Sequence, residues 1–302
     1  MADPDDSVKN DIIAHYDAIA ADYGKRYGPG ALSGAGKYPA NYIRLRNLVE
    51  RLAGQKAKRI YEVGTGEGTP LATLAQMGFE VAGCDISKTM VEATRAKLAA
   101  IGLDPELCQL GDIEHRTSIK NQIANGPYDA VIAFGVLPHV RDDVLALQNM
   151  RLLLHGGGKA FVEFRNKVFA LFTFNRKTRE FILDDLLADV SAPVRKAVAK
   201  ELDGRLALEL PVARSSVADG KPGYDAILSR FHNPFEIPAL FEAAGFANPR
   251  IHWYHYHPAP PMVEGALGDA FREEAMKLEG ETSGWRGYFL CSAGVVEADA
   301  ED

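Results

Sequence analysis

The chain contains few cysteines, and their arrangement does not suggest disulfides. Cys84, Cys108 and Cys291 are the three cysteines among 302 residues, and no two of them form a C-x-x-C pair. An odd number of scattered cysteines within apolar stretches predicts buried free thiols in a reducing compartment.

Segments that would direct the chain to a membrane are also missing from the sequence. The N-terminus, MADPDDSVKNDII, is acidic and lacks the apolar core of a signal peptide. No apolar run is long enough to cross a bilayer. We therefore expect a soluble, cytoplasmic protein without a membrane partner.

Long runs of lysine or arginine are absent, and the formal net charge is −7. Nucleic-acid binding usually requires a basic surface, so we expect a small-molecule partner and no nucleic acid. The hydrophobic fraction of 47% is ordinary for a globular protein and supports a sizeable core. The length is compatible with one large domain or two small ones.

The most informative stretch is KRIYEVGTGEGTPLATLAQMGFEVAGCD, residues 58–85. It predicts a strand, a glycine-rich turn, a helix and a second strand that ends at Asp85. Three glycines alternate with other residues in the turn, at Gly64, Gly66 and Gly68. Thr69 suits the N-cap of the helix and Pro70 its first position.

This pattern predicts a nucleoside-containing cofactor at the carboxyl edge of a parallel sheet. Glycines let the backbone approach a ligand closely, and an acid at the end of the second strand can accept hydrogen bonds from both ribose hydroxyls. The spacing is not the dinucleotide fingerprint G-x-G-x-x-G. No Lys-Ser/Thr pair follows the glycines, which disfavours a P-loop.

The stretch resembles motif I of the class I S-adenosylmethionine-dependent methyltransferases, in which an acidic residue precedes G-x-G-x-G and a second acid ends the next strand. The resemblance implies that the glycine-loop residues line the methionine end of the cofactor and that the end of the second strand holds the ribose. The residues of these two groups are Glu62, Gly64, Thr65, Gly66 and Gly68 for the loop, and Asp85 with its neighbour Ile86 for the strand end.

The same resemblance extends to the ends of the third and fourth predicted strands. Asp112 matches an acid that bonds the adenine amino group, and Ile113 would pack on the ring face. Asp112 could instead be a simple turn residue. Phe134 and Gly135, at the end of the fourth strand, are also expected to contact the cofactor.

An N-terminal helix from Asp11 to Tyr23 is predicted after an acidic tail, residues 1 to about 7, that we expect to be disordered. Its sequence resembles the Y-D-x-x-A-x-x-Y segment that caps the cofactor in many small-molecule methyltransferases. Tyr16 and Tyr23 match the two tyrosines. The alternative is that these tyrosines only pack the helix onto the core.

The alternation of strands and helices predicts an α/β fold with a Rossmann-like, doubly wound, mostly parallel sheet. The resemblance adds a seventh, antiparallel strand at residues 287–297. Residues 1–45 would form the tail and cap helices, and residues 46–165 with 233–298 the cofactor domain. Residues 166–232 are predicted as a helical insertion that is either a substrate lid or the interface of a homodimer.

Three histidines are candidates for a catalytic base. Methyl transfer from a sulfonium is a direct displacement, so positioning supplies much of the rate. A hydroxyl acceptor needs a base, whereas an amine needs only to be neutral. His139 follows the fourth strand, and His255 and His257 share one face of the sixth. The alternative for His139 is a polar loop residue, and for His255 and His257 it is packing within an aromatic-rich strand. No metal site is predicted.

We predict an enzyme that moves a methyl group from S-adenosyl-L-methionine to an oxygen or nitrogen of a small molecule. A sugar, a nucleotide sugar or a natural-product scaffold would suit it. One alternative is a cofactor-binding protein of methyltransferase fold without transfer activity. The other is a nicotinamide-dependent oxidoreductase, against which the glycine spacing counts.

Overall fold

The computed structural model describes residues 4–26, 39–206, 227–279 and 284–301. These residues form a seven-stranded sheet. Its strands, in chain order, are β1 (Arg59–Val63), β2 (Glu80–Asp85), β3 (Cys108–Leu110), β4 (Tyr128–Ala133), β5 (Leu154–Arg165), β6 (Phe246–Tyr256) and β7 (Cys291–Ala300).

Helices connect and flank these strands. In chain order they are α1 (Pro4–Tyr23), α2 (Ala40–Gln55), α3 (Thr69–Gln76), α4 (Lys88–Ala100), α5 (Lys120–Asn125), α6 (Asp143–Arg151), α7 (Arg176–Glu180), α8 (Ala192–Arg205), α9 (Ile237–Ala243), α10 (Glu264–Leu267), α11 (Asp269–Leu278) and α12 (Arg286–Leu290). None of the helices in the described ranges is long and apolar enough to cross a membrane.

The strand order is β3-β2-β1-β4-β5-β7-β6. The pairs among β1 to β5 are parallel, whereas β7 runs antiparallel to both of its neighbours. The chain builds the sheet outward in opposite directions from β1 and β4, so a crevice forms at the carboxyl ends of these two strands. The predicted fold class is confirmed.

Two apolar layers cover the faces of the sheet. In β1, Ile60 enters one layer while Tyr61 and Val63 enter the other, as the two-residue period of a strand requires. Helices α2, α3 and α4 contribute to the first layer, and α6 and α9 to the second. The largest fully buried side chains of the two layers are Leu52, Ile60, Leu71, Leu74, Leu98 and Phe161 in the first, and Tyr61, Phe164, Phe241 and Phe246 in the second.

Several predicted boundaries are wrong. The first helix starts at Pro4, so most of the tail expected to be disordered is helical; proline and acidic residues both suit a first helical turn. Gly68, in a left-handed conformation, takes the N-cap position predicted for Thr69. Residues 287–290 belong to α12 rather than to the last strand, and Gly287 in this helix lies so close to Trp253 that a Cβ atom would be 2.4 Å from its ring.

The predicted insertion, residues 166–232, leaves and rejoins the sheet at one place. Asn166 and His232 form a parallel bridge, and the His232 backbone N–H donates to the Arg165 carbonyl at 2.7 Å. Helical pieces at residues 168–186, together with α8, follow its start. Residues 207–226 of the insertion, and residues 27–38 of the predicted N-terminal loop, lie outside the described residues.

Candidate active site

A pocket opens in the crevice at the carboxyl ends of β1 and β4, with about 740 Å³ of empty space that includes its mouth to the solvent. Helix α1 forms one wall, and the glycine loop and the ends of β2, β3 and β4 form the others. The cavity brings together most of the predicted cofactor residues and one predicted catalytic residue. Those that line it are Tyr16, Tyr23, Gly64, Gly66, Asp85, Ile86, Asp112, Ile113, Phe134, Gly135 and His139.

The glycine loop can follow its path only without side chains. Gly64 and Gly66 have φ angles of 72° and 55°, in the left-handed region. A Cβ atom at Gly64 would lie 2.5 Å from Cγ2 of Val136, and one at Gly66 would lie 3.3 Å from the Tyr23 ring. The backbone of the loop therefore forms the cavity floor directly.

Three predicted cofactor residues do not line the cavity: Thr65 and Gly68, which support the glycine loop, and Glu62, which is buried. The Thr65 hydroxyl is buried and accepts a hydrogen bond from the Thr94 hydroxyl at 3.2 Å. Gly68 lies so close to Thr94 that a Cβ atom there would be 2.7 Å from the Thr94 Cα atom. Both residues fix the loop onto α4.

Asp85 lies at the end of β2 with its carboxylate held by two backbone groups. Its Oδ2 accepts from the Gly66 N–H at 2.8 Å, and its Oδ1 accepts from the Ser87 N–H at 2.9 Å. Burial raises its pKa to about 6, and nearby Asp17 adds to this effect. Each carboxylate oxygen keeps a further lone pair, so the group can still accept from two hydroxyls.

Glu62 is buried beneath the glycine loop. Its Oε2 atom has no hydrogen-bond partner among the residues that the structure describes. Burial raises its pKa to about 8, although the positive charge of Arg44 acts in the opposite direction. A buried carboxyl group with an unused oxygen fits a ligand that brings a positively charged amino group.

Asp112 lines the cavity and also stabilises the local turn. Its Oδ2 accepts from the Lys9 ammonium at 2.7 Å, and its Oδ1 accepts from the Glu114 N–H at 2.9 Å. Burial opposes ionisation, but these bonds keep the pKa of Asp112 below its usual value. Because Lys9 belongs to α1, this ion pair fastens the N-terminal helix across the cavity.

Helix α1 is held at further points around the cavity. The Ser87 hydroxyl donates to Asp17, and the Tyr16 and Tyr23 rings meet edge to face with centroids 6.1 Å apart. The Tyr16 hydroxyl also lies 2.8 Å from Nε2 of His139. Both tyrosines therefore line the cavity and pack the helix at the same time.

His139 lies in a short 3-10 turn after β4, and both of its ring nitrogens have partners. Nδ1 is 2.6 Å from the Leu228 carbonyl oxygen, which can only accept, so Nδ1 carries the proton. Nε2 then accepts from the Tyr16 hydroxyl. Burial lowers the pKa of His139 to about 4, with a smaller contribution from the Arg165 charge. The ring is therefore neutral at pH 7, with its lone pair on the cavity side.

His255 and His257 are not among the residues that line the cavity. Their rings are 4.7 Å apart, and the His257 ring is also 4.7 Å from Phe169 in the insertion. Nδ1 of His255 is 2.8 Å from the Ser292 hydroxyl. Neither ring nitrogen of His257 has a hydrogen-bond partner within the described ranges. Burial lowers the pKa of both histidines.

Arg44 is a candidate functional-site residue that the sequence analysis missed. It pairs with Glu163 at the end of β5, which also accepts a hydrogen bond from the Tyr254 hydroxyl. Its guanidinium carbon lies 4.5 Å from the centroid of the Phe134 ring at the cavity wall. A signal existed in the sequence, because Arg44 falls at i, i+4 spacing with Leu48 on the apolar stripe of α2.

A comparison with protein families finds that residues 61–160 match the family model described as a methyltransferase domain. The match runs from β1 into β5 and contains the glycine loop, Asp85, Asp112 and His139. The resemblance to the class I S-adenosylmethionine-dependent methyltransferases is confirmed, and residues 61–160 form a methyltransferase domain.

Among curated proteins, this chain is similar to the ubiquinone biosynthesis O-methyltransferase of Aeromonas salmonicida, with 26% identity over 143 residues, which are 47% of this chain and 54% of that protein. It is also similar to the protein-L-isoaspartate O-methyltransferase of Methylorubrum extorquens, with 38% identity over 97 residues, which are 32% of this chain and 41% of that protein. The matched part of the chain spans about half the length of the ubiquinone biosynthesis O-methyltransferases.

Among solved structures, magnesium protoporphyrin IX methyltransferase from Synechocystis PCC 6803 with bound SAH is similar to this chain. The TM-score is 0.52 and the identity 15%, over 97% of this chain and 99% of that one. Phosphoethanolamine N-methyltransferase 2 of Haemonchus contortus has a TM-score of 0.50 and an identity of 12%, over 95% of this chain and 57% of that one. At these identities the likeness shows the fold.

Glu62→Gln is expected to stabilise the free protein at alkaline pH. A carboxyl whose folded pKa is raised from 4.5 to about 8 loses stability as pH rises between these values, because the folded state resists ionisation. Glutamine removes this dependence. We expect the free energy of unfolding of the variant, relative to wild type, to be higher at pH 8 than at pH 5 by about 2–4 kcal/mol.

Urea denaturation at the two pH values measures this difference. Glu67→Gln is the matched control, because Glu67 is equally buried in the glycine loop that follows β1 but pairs with Lys97 and Thr69. It should show no gain at pH 8. An identical pH dependence for Glu62→Gln and wild type would contradict the account of this site.

Proposed function

We propose that the protein binds S-adenosyl-L-methionine in this cavity and transfers its methyl group to an oxygen atom of a small molecule. The cofactor supplies an electrophilic methyl group on a sulfonium. The residues of the chain bind and orient the two reactants, exclude water and accept the proton that the acceptor loses.

The residues present fit this cofactor. Asp85 has lone pairs left for the two ribose hydroxyls, and the unpaired Oε2 of Glu62 suits the amino group of the methionine part. Asp112 would accept from the adenine amino group, with Ile113 against the ring. The bare backbone at Gly64 and Gly66 leaves room for the ligand to lie on the loop.

The arrangement of Tyr16, His139 and Leu228 is the single observation that carries oxygen transfer. An oxygen acceptor must lose a proton, and a neutral histidine with a fixed tautomer can accept it. The Leu228 carbonyl fixes the proton on Nδ1, which leaves Nε2 as the basic atom. The Tyr16 hydroxyl now donates to Nε2, and it marks the position where an acceptor hydroxyl would bind.

His255 and His257 are weaker candidates for the base. They lie at the carboxyl end of β6, where the insertion covers them through Phe169. Their position supports a role in the wall of the acceptor pocket. We assign the insertion as the lid of that pocket. The competing assignment of the insertion is a homodimer interface.

The names of the relatives also support a small oxygen acceptor. They include the O-methyltransferases named for ubiquinone biosynthesis. Ring systems of this kind suit an apolar pocket with few polar groups. A protein that binds the cofactor without transferring the methyl group remains the second candidate, and the glycine spacing disfavours nicotinamide chemistry.

A turnover assay separates these functions. The purified protein is incubated with S-adenosyl-L-methionine and, separately, with 3,4-dihydroxybenzoate, a simple phenol, a plant-type cinnamic acid and a primary aromatic amine. Mass spectrometry follows methylated products. We expect a methylated oxygen in at least one phenolic acceptor. Methylation of the amine alone would contradict oxygen transfer, and cofactor binding without any product would favour the binding protein.

A further inference from the structure

The segment from Ile227 to His232 lies directly against the turn that carries His139. The Leu228 carbonyl accepts from His139 Nδ1 at 2.6 Å, and the Arg230 N–H donates to the Pro138 carbonyl at 2.8 Å. Two residues of one segment thus bond to two consecutive residues of the other. The position of the Leu228 carbonyl depends on this contact.

Arg230 ties the two segments to a rigid element. Its guanidinium donates to Asp143 through two nitrogens, at 2.7 and 2.6 Å, in a bidentate ion pair. The same group donates to the carbonyl oxygens of Val140 at 3.1 Å and Arg141 at 3.2 Å. Asp143 lies in the first turn of α6 and is buried.

The planar fork of arginine is suited to this task, because one side chain serves a carboxylate and two carbonyls at once. His232 adds a longer contact, with Nε2 at 3.4 Å from Asp143. The segment that supplies Leu228 is therefore attached to the N-terminus of α6 independently of His139.

We infer that Arg230 and Asp143 are positioning residues for the proposed base, because they hold the Leu228 carbonyl where it fixes the ring and tautomer of His139. This inference rests on the proposed function. Without the ion pair, the Leu228 carbonyl can move away from Nδ1, and the proton is no longer confined to that nitrogen. In part of the molecules the proton then lies on Nε2, which faces Tyr16 and has no lone pair left to accept a proton.

The test uses the full-length protein with ¹⁵N-labelled histidine. NMR distinguishes a protonated from an unprotonated ring nitrogen, and the spectrum of His139→Gln assigns the His139 signals. The variants are Arg230→Met and the conservative Arg230→Lys. Arg95→Met is the matched control, because Arg95 has a similar exposure of 33% against 35%, pairs with Glu106 and donates to the Cys108 carbonyl.

We expect a single tautomer of His139 in wild type and in Arg95→Met, and a mixture of tautomers in Arg230→Met. With 3,4-dihydroxybenzoate, or the phenolic acceptor that wild type methylates fastest, kcat should fall by about 10–10²-fold while the KM for cofactor stays unchanged. Arg230→Lys should recover part of both signals. An unchanged tautomer in Arg230→Met, or a changed tautomer with full kcat, would overturn the inference.

The NMR measurement needs neither cofactor nor acceptor. It therefore tests whether the Arg230–Asp143 ion pair fixes the tautomer of His139, even if no acceptor is methylated and the proposed function fails. If thermal unfolding shows that Arg230→Met does not fold, Asp143→Asn replaces it, because asparagine keeps the side-chain shape and removes the charge. The same tautomer mixture is then expected, and a single tautomer would again overturn the inference.

Discussion

Replacing His139 by alanine is expected to lower turnover by about 10²–10⁴-fold, the usual cost of losing a general base. The affinity for S-adenosyl-L-methionine should stay within about threefold, well under the 1.4 kcal/mol that a tenfold change represents. The reason is geometric: the polar contacts assigned to the cofactor come from Asp85, Asp112 and Glu62, not from His139. Single-turnover kinetics with saturating cofactor, combined with calorimetric titration, measures both quantities.

The matched control is His155→Ala. His155 lies on the surface at the start of β5 and bonds to Asp129, away from the cavity. It should retain full turnover. Full activity of His139→Ala at every pH would show that no base acts at this position, and the acceptor would then be an amine that arrives neutral.

The pH dependence of kcat should reflect the lowered pKa of His139. His139 acts in its neutral form, which is lost as pH falls through its pKa of about 4. We therefore expect kcat to be flat from pH 7 to about pH 5 and to decline only below it, for a phenol that is protonated throughout. The charges of Arg165, His15 and Glu163 act on this ring, and the Tyr16 hydroxyl contacts it. An acidic limb centred near 6.5 would contradict this assignment.

Asp85→Ala is expected to weaken the binding of S-adenosyl-L-methionine by at least tenfold. Hydrogen bonds to a charged group each contribute about 1.5–3 kcal/mol, and this carboxylate is placed to accept from two hydroxyls. Affinity in wild type should also fall below pH 6, because the raised pKa means that Asp85 is protonated there. Isothermal titration calorimetry at pH 5 and pH 8 measures both effects.

Asp85 also holds the N–H groups of Gly66 and Ser87, so loss of affinity could reflect a disordered loop. Asp85→Asn answers this concern, because it keeps one acceptor oxygen and the shape of the side chain. It should bind cofactor more tightly than Asp85→Ala and unfold at nearly the wild-type temperature. Affinity within twofold of wild type for Asp85→Ala would remove this residue from the cofactor site.

The sequence alone predicts those features whose causes are local. A few consecutive residues determine each of three features: the glycine loop, the strand that ends at Asp85 and the turn after β4. Strand period, the conformational freedom of glycine and helix caps all act over that range. The alternation of such units then indicates a doubly wound, mostly parallel sheet. The position of His139 in the turn after β4 is predicted in the same way.

Other features depend on residues that are distant in the chain. The partners Lys9 and Asp112, and Leu228 and His139, meet only because the fold brings α1 and the end of the insertion over the same crevice. No local pattern encodes these contacts. The strand period predicts one shared face for His255 and His257, but His255 has a left-handed backbone with φ of 60° and His257 lies beyond the end of β6. Their rings meet all the same, and their separation from the cavity depends on how β6 and the insertion pack.

The central claim is that the cavity beside β1 and β4 is a site for S-adenosyl-L-methionine. Isothermal titration calorimetry of the purified protein with S-adenosyl-L-methionine, S-adenosylhomocysteine and NAD tests it most directly. We predict saturable one-to-one binding of the first two, weakened by Asp85→Ala, and no binding of NAD. Binding of NAD without binding of either sulfur compound would contradict the account.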